Sequence, residues 1–193
     1  MSFVLEFMRS PLTVGAVAPS GPTLSEVVTA PIPRTGDPVV VELGAGTGSF
    51  TAAIQRRLAG RGRHVAVEVN ERFAARLAVR HPHVEVVTGD AVRVREMITD
   101  RGLGGADVIV SGLPWAAFTP GHQRDLLAAA VGALTAEGAF TTFAYVHARW
   151  TAPARRFHRA LQARFEEVVL GRTVWSNLPP ALVYHCRRPI PGF

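Results

Sequence analysis

The sequence has one cysteine, no lysine and no long apolar run. A single thiol, that of Cys186, forms no internal disulfide and no multi-cysteine metal centre, so no metal site is expected. The longest apolar stretch, residues 126–134, is far shorter than the roughly 20 residues that span a bilayer. No basic region precedes an apolar stretch near the start, so no signal peptide is expected. The composition is that of an ordinary soluble globular protein.

All basic residues are arginines, and the formal net charge is +6. An excess of positive charge favours an anionic partner such as a membrane surface or nucleic acid. A genome that encodes arginine wherever lysine would serve explains the missing lysine without any partner. Arg149, Arg155, Arg156 and Arg159 cluster after the predicted fifth strand, where they either face anionic lipid or form a solvated helix face. The sequence leaves both interpretations open.

Short apolar runs alternate with helical patterns through most of the chain. Such alternation predicts an α/β fold, a mostly parallel sheet with helices on both faces. Two final strands joined by "SNLPP" predict an antiparallel hairpin, which gives seven strands in all. Residues 37–193 are interpreted as one domain, and residues 1–36 as a lead-in, a short helix and then a loop, that covers the active site. The predicted strands are 38–43, 64–69, 84–87, 107–110, 139–145, 167–175 and 181–187, and the predicted helices are 49–58, 72–80, 92–100, 122–134 and 153–165.

A glycine-rich turn follows the first strand in "VELGAGTGSF". Gly44, Gly46 and Gly48 allow a tight turn and close approach of a ligand. Ser49 stands where the dinucleotide-binding fingerprint requires its third glycine. Glu68 ends the second strand and is placed to accept hydrogen bonds from ribose hydroxyls. With Asp90 after the third strand, placed for an adenine amino group, these residues predict a nucleoside site at the carboxyl edge of the sheet.

Together these motifs resemble the Rossmann-like class I methyltransferases that use S-adenosyl-L-methionine (AdoMet). "VELGAGTG" is similar to their first motif, Glu68 to their ribose acid and Asp90 to their adenine-contacting acid. The resemblance implies that AdoMet is the cofactor. The residues expected to contact it are Glu42, Gly44, Ala45, Gly46, Gly48, Glu68, Val69, Asp90, Ala91 and Ser111.

The fourth strand ends abruptly in "SGLPW", residues 111–115. Pro114 has no amide hydrogen and cannot extend the strand. This stretch resembles the motif of amine methyltransferases. The carbonyls of Ser111, Gly112 and Leu113 are expected to accept N–H groups of the substrate amine, with Trp115 offering a ring face to the cationic product. These residues, with Tyr145, form the predicted catalytic set, although a simple strand cap is the alternative.

The ribosomal RNA adenine dimethylases are distant relatives by this motif. They read Ser-Asn-Leu-Pro-Tyr where this chain has Ser111, Gly112, Leu113, Pro114 and Trp115. The asparagine would supply an acceptor for an adenine amino group, and this chain lacks it. Nucleic acid is therefore not the expected partner.

The stretches "FMRSPLTVGAVAPSG" (residues 7–21) and "SNLPPALVYHCRR" (176–188) resemble the short bacterial phospholipid N-methyltransferases. The resemblance implies a cytoplasmic enzyme, peripheral at the inner membrane face, that methylates the amine of phosphatidylethanolamine. That family generally has a longer N-terminal amphipathic helix, so a soluble small-molecule amine is the alternative substrate. The expected substrate contacts are Tyr145, His147, Arg149 and Asn177.

Overall fold

The computed structural model describes residues 21–190, which form one seven-stranded sheet with helices on both faces. No helix among these residues has the length and apolar character needed to cross a bilayer. The helices are α1 Pro22–Val28, α2 Ser49–Leu58, α3 Glu71–Arg80, α4 Val94–Thr99, α5 Pro120–Ala133 and α6 Ala152–Gln162. The strands are β1 Val39–Leu43, β2 Arg63–Glu68, β3 Glu85–Thr88, β4 Ala106–Ser111, β5 Leu134–Tyr145, β6 Phe165–Leu170 and β7 Ala181–Pro189.

The sheet order is β3-β2-β1-β4-β5-β7-β6. Strands β1 to β5 pair in parallel, and β7 runs antiparallel to both of its neighbours, β5 and β6. The predicted fold class, a mostly parallel sheet with an antiparallel strand from a final hairpin, is confirmed. β6 ends at Leu170 instead of the predicted residue 175, because only Val174 still bridges to β7 and Trp175 is exposed.

Alternate residues of the central strands supply two separate cores, since a parallel sheet is covered on both faces. Val41 and Leu43 of β1 belong to the core under α4, α5 and α6. Val40, which precedes Val41 and faces the opposite side of the sheet, belongs to the core under α1 and α2, with Phe50 and Ile54 of α2. This alternation explains why the strands are almost uniformly apolar in sequence.

Helix α1 was not predicted, because its segment was interpreted as a loop from its proline, glycine and serine content. Pro22 occupies the first turn, where the missing amide costs nothing. Leu24, Val28 and Ile32 are at most 2% exposed and pack in the core of α2. The apolar spacing of Leu24 and Val28 was the available signal. The helix expected near the start and most of the stretch 7–21 lie outside the described residues.

Candidate active site

The glycine turn between β1 and α2 has a backbone that few other residues adopt. Gly44, Gly46 and Gly48 have φ values of 73°, 53° and 88°. A Cβ atom on Gly48 would lie 2.8 Å from Leu77 Cδ1, and one on Gly44 would lie 2.8 Å from Leu113 Cδ2. The turn is therefore closed to side chains on two sides, and it leaves exposed backbone at the carboxyl edge of the sheet.

Glu68 fixes this turn from the end of β2. Its Oε2 accepts the Gly46 amide at 2.8 Å, and its Oε1 accepts the Asn70 amide at 2.8 Å. The side chain is almost fully buried, and burial raises the pKa of Glu68, while the hydrogen bonds from the Asn70 and Gly46 amides oppose the rise. Glu68 thus combines a structural role with a carboxylate aimed at the cavity beside it.

A cavity of about 170 Å³ lies at this edge between the ends of β1, β2, β3 and β4. Its walls bring together nine residues predicted for the cofactor or catalytic site: Gly44, Gly46, Glu68, Val69, Asp90, Ala91, Gly112, Leu113 and Pro114. Val67, Gly89, Phe118, His122 and Leu126 complete the lining. Asp90 Oδ1 accepts the Val92 amide at 3.1 Å, which orients the carboxylate at the cavity rim. Glycine backbone at one end and two carboxylates for hydroxyl and amino donors fit an AdoMet molecule.

Glu42 was predicted to contact the cofactor, but the structure places it behind the cavity wall. Its Oε2 accepts the Thr51 hydroxyl at 2.7 Å and lies 3.3 Å from His64 Nε2. Gln55 Nε2 lies 2.9 Å from the other ring nitrogen of His64. Glu42 is fully buried in this polar network between β1, β2 and α2. Ala45, Gly48 and Ser111 are likewise absent from the cavity lining.

The predicted amine-binding turn at the end of β4 is an inverse γ-turn centred on Pro114. Pro114 has φ −81° and ψ 70°, and the Trp115 amide donates to the Leu113 carbonyl at 3.0 Å. The Ser111 carbonyl accepts the Thr142 hydroxyl at 3.0 Å. Within residues 21–190, no donor reaches the Gly112 carbonyl. Of the three carbonyls predicted to orient an amine, that of Gly112 is therefore the one with both lone pairs available.

Trp115 is a core residue that secures this turn, whereas the sequence predicted a ring face open to the product. The side chain is 3% exposed, and Phe157 stacks on its ring at 4.6 Å between centroids. Its indole N–H donates to Ser111 Oγ at 3.0 Å, and its carbonyl accepts Gln123 Nε2 at 2.8 Å. Phe157 covers one face of the ring, and Phe118 and Phe140 meet the ring in T-shaped contacts, so the side chain is held by core packing and supports the turn.

Replacing Trp115 with alanine is expected to lower the free energy of unfolding by about 3–5 kcal/mol, because a large core side chain is lost. Trp115→Phe keeps the stacking on Phe157 but loses the hydrogen bond to Ser111, so a loss of about 1–2 kcal/mol is expected. Trp175→Ala is the matched control, since Trp175 is 73% exposed. Denaturant unfolding measures all three variants. Equal losses for Trp115→Ala and Trp175→Ala would contradict the core assignment.

A second cavity, of about 460 Å³, lies on the other side of the same turn. Gly112, Leu113 and Pro114 line both cavities. The second cavity is mostly apolar and aromatic, and among residues 21–190 no aspartate or glutamate lines it. The other lining residues are Trp115, Ala116, Ala117, Phe143, Ala144, Tyr145, His147, Ala148, Thr151, Pro153, Ala154, Phe157 and Tyr184.

Two predicted substrate contacts, Tyr145 and His147, lie in this second cavity with their rings stacked at 5.7 Å. Burial raises the pKa of Tyr145 and of Tyr184, so both hydroxyls stay protonated at neutral pH. Tyr184 was not singled out from the sequence, because a tyrosine in a strand usually signals core packing. Its pairing in β7 opposite Thr142 of β5 brings it to the cavity.

The other two predicted substrate contacts lie outside the cavity lining. Asn177 is 4% exposed; its Oδ1 accepts the Gly21 amide at 2.9 Å, and its Nδ2 donates to the Pro179 carbonyl at 2.7 Å. Asn177 therefore ties the start of α1 to the β6–β7 connection. Arg149 is exposed, with its guanidinium 4.8 Å from the centre of the Trp150 ring.

Comparison with solved structures shows the fold. An O-methyltransferase from Bacillus cereus in complex with SAH has a TM-score of 0.65 at 16% identity, with 95% of this chain and 88% of that chain covered. The O-methyltransferase TomG from Streptomyces achromogenes in complex with SAM has a TM-score of 0.64 at 17% identity, with 96% and 90% covered. Both proteins are methyltransferases, and this chain shares their Rossmann-like fold.

Comparison with curated sequences identifies a nearer relative. No protein-family model matches the chain. The ornithine lipid N-methyltransferase of Singulisphaera acidiphila is 35% identical over 191 residues, which cover 96% of this chain and 94% of that protein. With the glycine turn, Glu68 and Asp90 around one cavity, this similarity makes the protein an AdoMet-dependent methyltransferase. The chain belongs to the family of that lipid N-methyltransferase, within the class I AdoMet-dependent methyltransferases.

Proposed function

We propose that this methyltransferase methylates the primary amine of a membrane lipid headgroup. The observation that carries the proposal is the large apolar and aromatic cavity that shares the Gly112–Pro114 wall with the cofactor cavity. A methyl donor on one side of this wall and hydrocarbon-lined space on the other suit a substrate that is an amine attached to acyl chains. The curated relative is named for ornithine lipid, and the sequence motifs resemble enzymes of phosphatidylethanolamine. An amine-bearing lipid is the class that both indications share.

In this proposal the Gly112 carbonyl orients the attacking nitrogen. A primary amine has two N–H groups and one lone pair. A carbonyl that accepts one N–H therefore restricts the direction in which the nitrogen lone pair points. Gly112 lines both cavities. An amine that enters from the second cavity and donates to the Gly112 carbonyl can therefore point its lone pair toward the methyl donor in the cofactor cavity. AdoMet supplies a methyl group bonded to a sulfonium sulfur. The methyl group transfers to nitrogen as the carbon–sulfur bond breaks and the electrons of that bond return to sulfur. The in-line geometry required for this displacement is sensitive to shifts of about 1 Å.

The second cavity also favours the neutral amine that attack requires. A carboxylate near the nitrogen would stabilise the ammonium form, and in the part of the chain that the structure describes none lines this cavity. Burial in an apolar space disfavours the charged form of an amine and lowers its pKa. His147 lies at the exposed end of the ring stack with Tyr145, and in this proposal it carries the released proton toward solvent.

Expression of this chain in a bacterial host is expected to convert part of an amine-bearing host lipid into methylated forms. Mass spectrometry of the lipid extract should show species heavier by whole methylene increments, with fragments that place the added mass on the headgroup. Glu68→Gln is the control, because an amide in place of the carboxylate is expected to weaken binding of the cofactor. A host lipid profile that is the same with wild type and Glu68→Gln would contradict the proposal.

A further inference from the structure

Three large apolar side chains are exposed on two loops at the carboxyl edge of the sheet. Trp150 is 69% exposed, Trp175 is 73% exposed and Leu178 is 81% exposed. We define loop A as residues 146–151, after β5, and loop B as residues 171–180, between β6 and β7. Exposure of two tryptophans costs solvation free energy, and large exposed apolar side chains grouped on neighbouring loops are typical of interaction sites.

Loops A and B are adjacent and flank the proposed acceptor cavity. The Val146 amide donates to the Pro180 carbonyl at 2.9 Å, and Tyr145 of β5 pairs with Ala181 of β7. His147, Ala148 and Thr151 of loop A line the acceptor cavity. Trp150, between two of these lining residues in sequence, therefore lies beside that cavity.

The charged residues within the two loops are all cationic. Neither loop contains an aspartate or glutamate. The Arg149 guanidinium covers the Trp150 ring, the Arg155 side chain donates to the Trp150 carbonyl, and Arg172 is exposed in loop B. By contrast, exposed Val169 of β6 lies close in sequence to Glu166 and Glu167, which pair with Arg188.

We propose that loops A and B dock on an anionic lipid bilayer, with Trp150, Trp175 and Leu178 inserted at the headgroup level. Tryptophan is the residue type favoured at a membrane–water interface, and arginines beside it attract anionic headgroups. Docking in this orientation brings the acceptor cavity to the membrane surface, so a lipid enters it without leaving the bilayer. This inference rests on the proposed function, of which it gives the membrane-facing surface.

Charge complementarity decides in favour of a bilayer over a second copy of the chain. A twofold contact between copies would bring Arg149, Arg155 and Arg172 against the same three arginines, and like charges in such a contact repel. A surface of phosphates and acyl chains instead satisfies the arginines and the apolar side chains together.

The test is vesicle co-sedimentation with the full chain, using phosphatidylcholine vesicles with and without phosphatidylglycerol. Wild type is expected to bind the anionic vesicles, and added salt is expected to weaken binding. The double variant Trp175→Glu with Leu178→Glu is expected to bind at least about tenfold more weakly, since two inserted apolar groups become anionic. Val79→Glu is the matched control and is expected to bind like wild type, because Val79 is 86% exposed on α3, far from the loops in sequence.

Tryptophan fluorescence gives a second readout. Lipids with brominated acyl chains are expected to quench wild-type emission on binding, and the quenching is expected to disappear in Trp150→Phe with Trp175→Phe. The remaining Trp115 is buried. Failure of wild type to bind anionic vesicles, or equal binding of the double glutamate variant and Val79→Glu, would overturn the proposal. So would conversion of a wild-type dimer to a monomer by the glutamate pair with vesicle binding unchanged, since a second copy would then cover the loops.

Methyl transfer to a short-chain amine lipid dispersed in detergent separates this inference from the proposed function. The double glutamate variant is expected to keep wild-type rates in detergent and to lose activity on vesicles. If wild type methylates no lipid in detergent but its vesicle binding still depends on Trp175 and Leu178, the proposed function fails while the docking surface stands. If the double variant methylates lipids in vesicles at wild-type rates, the docking inference fails alone.

Discussion

Glu68→Ala is expected to weaken AdoMet binding by at least about 1.5–3 kcal/mol, the contribution of a hydrogen bond to a charged group. The carboxylate is expected to accept from the ribose, and it also holds the Gly46 and Asn70 amides. Alanine removes the acceptor and releases the glycine turn at once. Titration calorimetry measures the affinity, and Glu96→Ala on the exposed face of α4 is the control. Wild-type affinity in Glu68→Ala would contradict the placement of the cofactor.

The same residue predicts a pH dependence of AdoMet affinity. Burial raises the pKa of Glu68 from its ordinary value of 4.5, so the carboxyl takes up a proton at a higher pH than an exposed glutamate would. The protonated form accepts hydrogen bonds poorly. Affinity is therefore expected to decline as the pH falls through this raised pKa and to be constant at higher pH. The Glu68→Gln variant, which does not titrate, is expected to lack that decline.

Gly112→Ala is expected to reduce methyl transfer by about 100-fold or more, because near-attack geometry is lost with shifts of about 1 Å. A Cβ atom on Gly112 would lie 2.8 Å from the Gly44 carbonyl oxygen. The contact is with backbone, so the β4 turn and the glycine turn must separate. That separation would break the hydrogen bond from the Gly112 amide to the Leu43 carbonyl, which is 2.8 Å long. Both cavities share this wall, so AdoMet affinity is expected to fall as well.

Gly132→Ala is the matched control for this change. Gly132 lies in α5, and a Cβ atom there meets nothing within 4 Å. Alanine at this helical position is expected to stabilise the fold by about 0.5–1 kcal/mol. Single-turnover transfer and AdoMet binding should be measured for both variants. Wild-type rates in Gly112→Ala would show that the wall tolerates a side chain and that the amine is oriented elsewhere.

The close approach of Gly44 also explains the glycine at position 112. An asparagine, as in the adenine dimethylase motif, would bring its Cβ against the Gly44 carbonyl unless the turn opened. The sequence showed that the amide side chain is absent. The structure shows why a side chain of any kind is disfavoured there, and the proposed function accordingly assigns the orientation of the amine to the backbone carbonyl.

The sheet was predictable because each strand carries its own signal. Runs such as "VVVEL" of β1 are buried on both faces, and their spacing by helices dictates parallel pairing. The positions of Glu68 and Asp90 followed, since parallel strands end at one edge. Helix α1 was not predicted because Pro22 is typical of a loop, and the burial of Leu24 and Val28 is known only from the structure.

Side-chain direction was the part that the sequence left open. From its position near the end of β1, Glu42 was expected to contact the cofactor. Its side chain instead faces Thr51 of α2 and His64 of β2, which provide polar partners. Asn177 turns inward because the Gly21 amide needs an acceptor. The partners of Glu42 and Asn177 are not their sequence neighbours, so no local sequence pattern predicts these contacts.

The most direct test of the central claim is methyl transfer by the purified protein from labelled AdoMet to defined acceptors. The acceptors are phosphatidylethanolamine, ornithine lipid, and free ethanolamine and ornithine at matched amine concentrations. The account predicts that label appears on the amine of at least one of the two lipids, with much less on either soluble amine, and that Gly112→Ala reduces the transfer by about 100-fold or more. Label on the soluble amines at equal or higher rates than on the lipids, or no label on either lipid, would contradict it.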